Sequence, residues 1–291
     1  MTKEILILPG DGIGQEVTSS AKEVLDYLIG ENNLDFNITE MDAGGTAYDK
    51  HGSPLPDDVL AQAKKSDAIL FGAVGGPKWD DLDWDVRPEQ ALLSLRKEIE
   101  LFPNLRPAFL FNELASASPI KNHIIENLDI LIVRELTGGI YFGEPRAIVE
   151  DETPPYAFNT MIYNEDEIKR IAKVAFEAAQ KRGGKLCSVE KANVLEVSKF
   201  WRSIVSDMAK DFPDVELSHQ LADNTAMQLV LNPNQFDVIV SSNLFGDILS
   251  DIAATLSGSI GMLPSASINS SSQGMYAVSY THLTLPTIYS V

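Results

Sequence analysis

The chain has 291 residues, a formal net charge of -19, 44% hydrophobic residues and 22% charged ones, the make-up of an ordinary globular protein with one large domain or two moderate ones. The acid excess argues against a nucleic-acid or anionic-membrane partner, since each needs a basic face, and the single cysteine, Cys187, excludes an internal disulfide and a cysteine-rich zinc site. The first apolar run, Ile5 to Leu8, is too short for a signal peptide or a membrane span, so the chain reads as cytoplasmic.

Glu4 to Leu8 reads as a buried strand, and Pro9-Gly10-Asp11-Gly12-Ile13-Gly14 turns it into a helix with Val17, Ala21, Val24, Leu25 and Leu28 at helical spacing. The glycines fall as G-x-G-x-G, and the next strand, Asp35 to Asp42, puts no single acid at the distance a dinucleotide fingerprint requires. A tight strand-to-helix turn accounts for the same residues. Asp57 to Lys65 is a short helix and Ala68 to Val74 another buried strand, ending in Gly75-Gly76-Pro77. Repeated strand and helix units imply a parallel α/β sheet. Pro88 then opens a helix on which Glu89, Leu92, Leu93 and Arg96 share a face, and Arg106 follows just outside it.

Leu128 to Leu136 is an apolar strand interrupted by Arg134, a charge that demands a partner, and Thr137-Gly138-Gly139 turns it towards Tyr141. Residues 147–163 alternate at Tyr156, Phe158, Thr160 and Ile162, which suggests an extended arm or hairpin. Asn164 with Glu167 forms a capping box for a helix that stops at Gly183-Gly184. Leu186 to Val189 is a strand with Lys191 at its exit, either a desolvated acid/base or a surface cation. Ser198 to Lys210 is a helix and Val215 to Leu221 a strand, after which Asp223 and Asn224 open another helix. Phe236 to Asp251 reads as strand, turn and helix. Asp247 and Asp251 lie four residues apart on one face of that helix, as a solvated acidic face or as oxygen ligands for a divalent cation. Arg96, Arg106 and Arg134 could each be a structural salt bridge; together they suit a polyanionic small molecule. After the stretch Ser257 to Ser267 the sequence turns Ser-rich, and residues 277–291 show no organisation that closes a domain.

Five stretches together resemble the isocitrate/isopropylmalate dehydrogenase family of β-decarboxylating dehydrogenases: Leu8 to Gly14, Arg87 through Pro107, Arg134 to Gly143, Glu190 to Leu195, and Asn243 to Asp251. The resemblance covers residues 1–276 and favours the isopropylmalate branch. It implies a two-domain α/β fold that is not Rossmann, with a cofactor-side domain of residues 1–101 and 252–276, incomplete here. Residues 102–251 would form the substrate, metal and dimerisation domain, and 147–163 the arm that clasps a second subunit. It further implies that Arg96, Arg106 and Arg134 hold the substrate carboxylates. Asp247 and Asp251 would bind Mg2+ or Mn2+, completed by Asp223 of the partner subunit, which also borders the substrate. Lys191, also from the partner, would be the base and Tyr141 the acid. Ile13, Glu89 and Asn193 would contribute to binding NAD.

Leu92 and Leu93 offer an apolar wall suited to an isopropyl group, where a third carboxylate would call for a hydroxyl or a cation, which separates isopropylmalate from isocitrate, homoisocitrate and tartrate. After Tyr276 the family continues with Glu-Pro and a His-Gly-(Ser/Ala)-Ala-Pro-Asp adenosine loop, but this chain reads Ala277-Val278-Ser279-Tyr280-Thr281-His282-Leu283. His282 is no substitute. The expectation is a truncated chain with an unrelated tail at 277–291, missing sheet strands and binding NAD poorly. A metal-dependent phosphoryl hydrolase built on the two aspartates, and an inactive fragment that only dimerises, are the competing readings.

Overall fold

The computed structural model describes residues 2–258 and 263–278. The described residues divide into two compact units, 2–102 together with 264–278, and 103–258 together with 263. Among the described residues no helix is long and apolar enough to cross a membrane.

In the first unit β1 (Lys3–Gly10) leads into α1 (Ile13–Asn32), then β2 (Phe36–Glu40), α2 (Gly45–His51), α3 (Asp57–Lys65), β3 (Ala68–Ala73) and α4 (Glu89–Glu98). Strand β1 pairs in parallel with both β2 and β3, and its unbroken apolar run suits burial on two faces. The core gathers Leu6, Leu8, Ile69, Phe71, Leu92 and Leu95.

The glycine turn is explained by packing. Gly10 has φ 74° and a Cβ there would meet the Ala73 carbonyl oxygen at 2.0 Å, while one on Gly14 would meet the Pro9 carbonyl oxygen at 2.3 Å. The turn thus lies against β3 too closely for any side chain. Asp11, buried in the same turn, accepts from the backbone N–H groups of Gly45, Thr46 and Gly75 at 2.6 to 3.0 Å and from the Thr46 hydroxyl at 2.8 Å. The expected apolar face of α1 is corrected: its buried residues are Gly14 and Thr18, and Val24 and Leu28 are exposed. Small residues let α1 approach closely, and of the aliphatic stripe Val17, Ala21 and Leu25 are half-buried while Val24 and Leu28 face out.

In the second unit β4 (Pro103–Phe109) and α5 (Asn122–Ile125) precede β5 (Asp129–Glu135), the hairpin β6 (Ala147–Val149) and β7 (Tyr156–Phe158), and α6 (Glu165–Gln180). Then come β8 (Lys185–Glu190), α7 (Glu196–Met208), β9 (Glu216–Leu221), α8 (Ala222–Leu231), β10 (Val238–Ser241) and α9 (Asn243–Leu256). The strand order is β4-β5-β10-β8-β9, with β4 antiparallel to β5 and the remaining pairs parallel. Strand β4 was not expected, because Pro103 and Pro107 lack the N–H that a ladder uses. Arg106 therefore sits inside a strand, opposite Ile132. The capping box of α6 is present: the Asn164 side chain accepts from the Glu167 N–H at 2.9 Å, and the Glu167 carboxylate accepts from the Asn164 N–H at 2.8 Å. Residues 252–256, expected with the cofactor-side domain, continue α9 without a break.

The chain end also differs from expectation. β11 (Pro264–Ile268) and β12 (Gly274–Val278) form an antiparallel hairpin, and β12 pairs in parallel with β3, so the first unit's strand order is β2-β1-β3-β12-β11. Ser265 and Ser267 point inwards where apolar residues would have announced a strand, so no alternation is legible there. Ala277 and Val278, expected in the tail, belong to β12. His282 and the rest of the tail lie outside the described residues.

Candidate active site

The parallel strands of the second unit end together. Ser241 of β10 is in register with Arg134 of β5 and Val189 of β8, and Glu190 of β8 with Leu221 of β9. Arg134, the Lys191 exit and the start of α8 therefore share the carboxyl edge of this sheet, the edge where α/β sheets bind ligands. Helix α9 rises from the same edge.

Arg106 and Arg134 are both buried and both face α9. Arg134 donates from Nη1 to Asp247 Oδ1, and its Nε and Nη2 donate to Asn243 Oδ1 at 3.0 and 2.8 Å. Arg106 donates from Nη1 to Ser250 Oγ at 2.7 Å and to Asp251 Oδ1 at 3.2 Å, its Nη2 lies 3.6 Å from Asp247 Oδ1, and its Nε donates to Asn104 Oδ1 at 2.8 Å. Burial, and after it the Arg134 charge, pushes the Arg106 guanidinium down to about 10, so it stays charged at neutral pH. Burial pushes the Asp251 carboxyl above its ordinary value; Asp247 adds to the rise and Arg106 opposes it. Two aspartates on one helical turn repel, and here two guanidiniums offset them.

Tyr141, at the end of the 3-10 turn Gly139–Tyr141, donates from Oη to Asp247 Oδ2 at 3.1 Å, and its ring centre is 5.9 Å from the Arg134 guanidinium carbon. Partial burial and the Asp247 charge push its phenol above the ordinary value. The turn is fastened by Glu135, fully buried, which accepts from Gly138 N–H at 2.8 Å, Thr137 Oγ1 at 3.0 Å and Arg170 Nη2 at 2.8 Å. Gly139 has φ 78°, and a Cβ there would lie 2.3 Å from Tyr163 Oη. That hydroxyl in turn accepts from the Asn243 N–H at 2.8 Å.

Lys191 Nζ lies 2.7 Å from Asp223 Oδ2, and this hydrogen bond holds the Asp223 carboxyl below its ordinary range. No hydrogen bond or ion pair joins this pair to the arginine and aspartate cluster among the described residues. Arg96 lies on α4 of the first unit and is buried; Leu92 packs into that unit's core, while Leu93 and Glu89 are half-buried. Ile13 is half-buried at the start of α1 and Asn193 exposed after β8. Among the described residues of one chain, no group of three or more His, Cys, Asp or Glu side chains could hold a metal.

The supporting residues Asn104, Glu135, Tyr163, Arg170, Asn243 and Ser250 were not singled out from sequence. For Asn243 a signal existed: it lies four residues before Asp247 and eight before Asp251, on the same helical face.

The isocitrate/isopropylmalate dehydrogenase family model matches residues 4–289, a range that runs past Tyr276, where the resemblance was expected to end. The 3-isopropylmalate dehydrogenase of Hydrogenovibrio crunogenus is 59% identical over 281 residues, 96% of this chain and 79% of that protein. Among solved structures, isocitrate dehydrogenase from Methylococcus capsulatus is 29% identical with a TM-score of 0.83, over 96% of this chain and 77% of that one. A β-decarboxylating dehydrogenase from Thermococcus kodakarensis, in its apo form, is 34% identical with a TM-score of 0.74, over 96% and 75% respectively. The guanidinium and carboxylate cluster at the sheet edge thus stands in a chain that belongs to the isocitrate/isopropylmalate dehydrogenase family.

Proposed function

We propose that this chain carries out the oxidative decarboxylation of 3-isopropylmalate to 4-methyl-2-oxopentanoate, a step of leucine biosynthesis, with NAD and Mg2+ or Mn2+, as a homodimer. The observation that carries the reading is the meeting of Arg106, Arg134, Tyr141, Asp247 and Asp251 at one sheet edge. Guanidiniums present paired N–H donors to carboxylates, and the substrate brings two. The donor set also fits a divalent cation: both α9 aspartates are hard oxygen ligands, four residues apart on one helical face.

Arg106 and Arg134, with Arg96, would bind the substrate carboxylates. Asp247, Asp251 and Asp223 of the partner subunit would hold the cation. When bound, the cation would supply stabilisation of negative charge on the substrate's hydroxyl oxygen, and the dinucleotide would supply a hydride acceptor. Lys191 of the partner subunit takes the hydroxyl proton. The β-carboxylate leaves as carbon dioxide, and Tyr141, a protonated phenol at neutral pH, delivers a proton to the carbon that lost it. Ile13, Glu89 and Asn193 would bind NAD, and Leu93 would border the isopropyl group.

Support for the dimer comes from apolar surface. Ile148, Tyr156 and Phe158 on the β6–β7 hairpin are exposed, as are Met227, Val230, Leu231 and Ile248 on α8 and α9. A shared site would bring Lys191 and Asp223 of one subunit to the aspartates of the other. The test is NADH absorbance with 3-isopropylmalate, Mn2+ and NAD, run beside isocitrate, together with calorimetric binding of 3-isopropylmalate in the presence of Mn2+. Binding and turnover of 3-isopropylmalate alone are expected, in place of the weak NAD binding expected from residues 277–291; preference for isocitrate, or no binding of either acid, would overturn the reading.

A further inference from the structure

We infer that Asn243 is a positioning residue that fixes the guanidinium plane of Arg134 for a substrate carboxylate; this rests on the proposed role of Arg134. Asn243 is fully buried as the first residue of α9. Its Nδ2 donates to the carbonyls of Leu136 at 2.8 Å and Gly138 at 3.2 Å, which leaves its Oδ1 only one direction to face. That oxygen takes both Nε–H and one Nη2–H of Arg134, filling one edge of the guanidinium. With Nη1 on Asp247, the outward edge between Nη1 and Nη2 is the one presented to a carboxylate. The backbone N–H of Asn243 is tied to Tyr163 Oη, so one residue sets Arg134, the Leu136 to Gly138 turn and the base of α9 against each other. An arginine freed of this contact keeps its charge but samples orientations in which the fork does not meet the ligand, and affinity falls.

The experiment is a double-substitution cycle on the full chain, with Asn243→Ala, Arg134→Lys and the pair, read by the calorimetric Kd for 3-isopropylmalate with Mn2+ and checked by thermal melting. Asn243→Ala is expected to weaken binding about ten-fold in the parent chain, and by less than about two-fold where Arg134 is already lysine. A general loosening of the fold would weaken binding equally in both backgrounds, and that result would overturn the inference. If Asn243→Ala does not fold, Asn243→Ser, which leaves a smaller void and is too short to span both Arg134 donors, carries the same comparison. Weakening by Arg134→Lys with none by the Asn243 variants overturns only this inference. No effect of Arg134→Lys, or no binding by the parent chain, overturns the proposed function on which it rests.

Discussion

Gly246 lies on the inner face of α9, where a Cβ would sit 2.8 Å from Arg134 Cγ and 2.9 Å from its Cβ. Gly246→Ala therefore sets two effects against each other. Alanine favours a helix interior over glycine by about 1 kcal/mol. Against this, the contact falls on the stem of Arg134, which is anchored in β5 and cannot swing aside like a chain end, and overpacking of this kind costs about 1–3 kcal/mol. The net expectation is a loss of about 0–2 kcal/mol in urea unfolding, with the methyl pressing the guanidinium off Asn243 and Asp247. Binding of 3-isopropylmalate with Mn2+ should weaken about ten-fold, the cost of misplacing one charge-assisted contact. A variant about 1 kcal/mol more stable than the parent, with unchanged affinity, would refute the reasoning, because propensity alone would then have acted.

Tyr141→Phe removes the 3.1 Å bond to Asp247 but keeps a half-exposed ring in place. Stability should change by less than about 0.5 kcal/mol and substrate Kd by less than about three-fold, while turnover falls about 10²-fold or more; steady-state rates beside calorimetry decide. Asp11→Ala strips the acceptor from three backbone N–H groups and a hydroxyl, so a loss of about 3–5 kcal/mol is expected in urea unfolding, and a loss below about 1 kcal/mol would contradict the hub role. Glu135 has its carboxyl pushed up by burial, against Arg170 and the N–H and hydroxyl donors. The folded chain then holds that proton more tightly than the unfolded chain. Relative to Glu135→Gln, the parent should gain stability as pH falls through the raised value towards 4.5, and lose that gain as pH rises. Urea unfolding across pH measures this, and the opposite slope would mean that the donors outweigh burial.

The pattern of strands and helices was legible wherever apolar periodicity was strong, as in β1, β3, β5, β10 and α6, because burial on two faces or on one helical stripe writes itself into residue order. The capping box at Asn164 and the pairing of Asp247 with Asp251 were legible for the same local reason. Strand β4 and the β11–β12 hairpin were not, since proline and serine carry no such period and those segments are strands only because a neighbour supplies the ladder.

The residues of the candidate site were named from sequence, yet spacing alone left Asp247 and Asp251 open between a solvated face and a ligand pair, and only the family resemblance favoured the second. Only tertiary structure decided that Arg106 and Arg134, distant along the chain, close on that helix face. It alone also decided that Leu92 goes to the core, and that Asn243, Glu135 and Tyr163 hold the cluster in shape. The division has a physical cause. Periodicity records which side of an element is apolar, whereas the partner of a buried charge is set by which strands end side by side, and nothing in the local sequence encodes that.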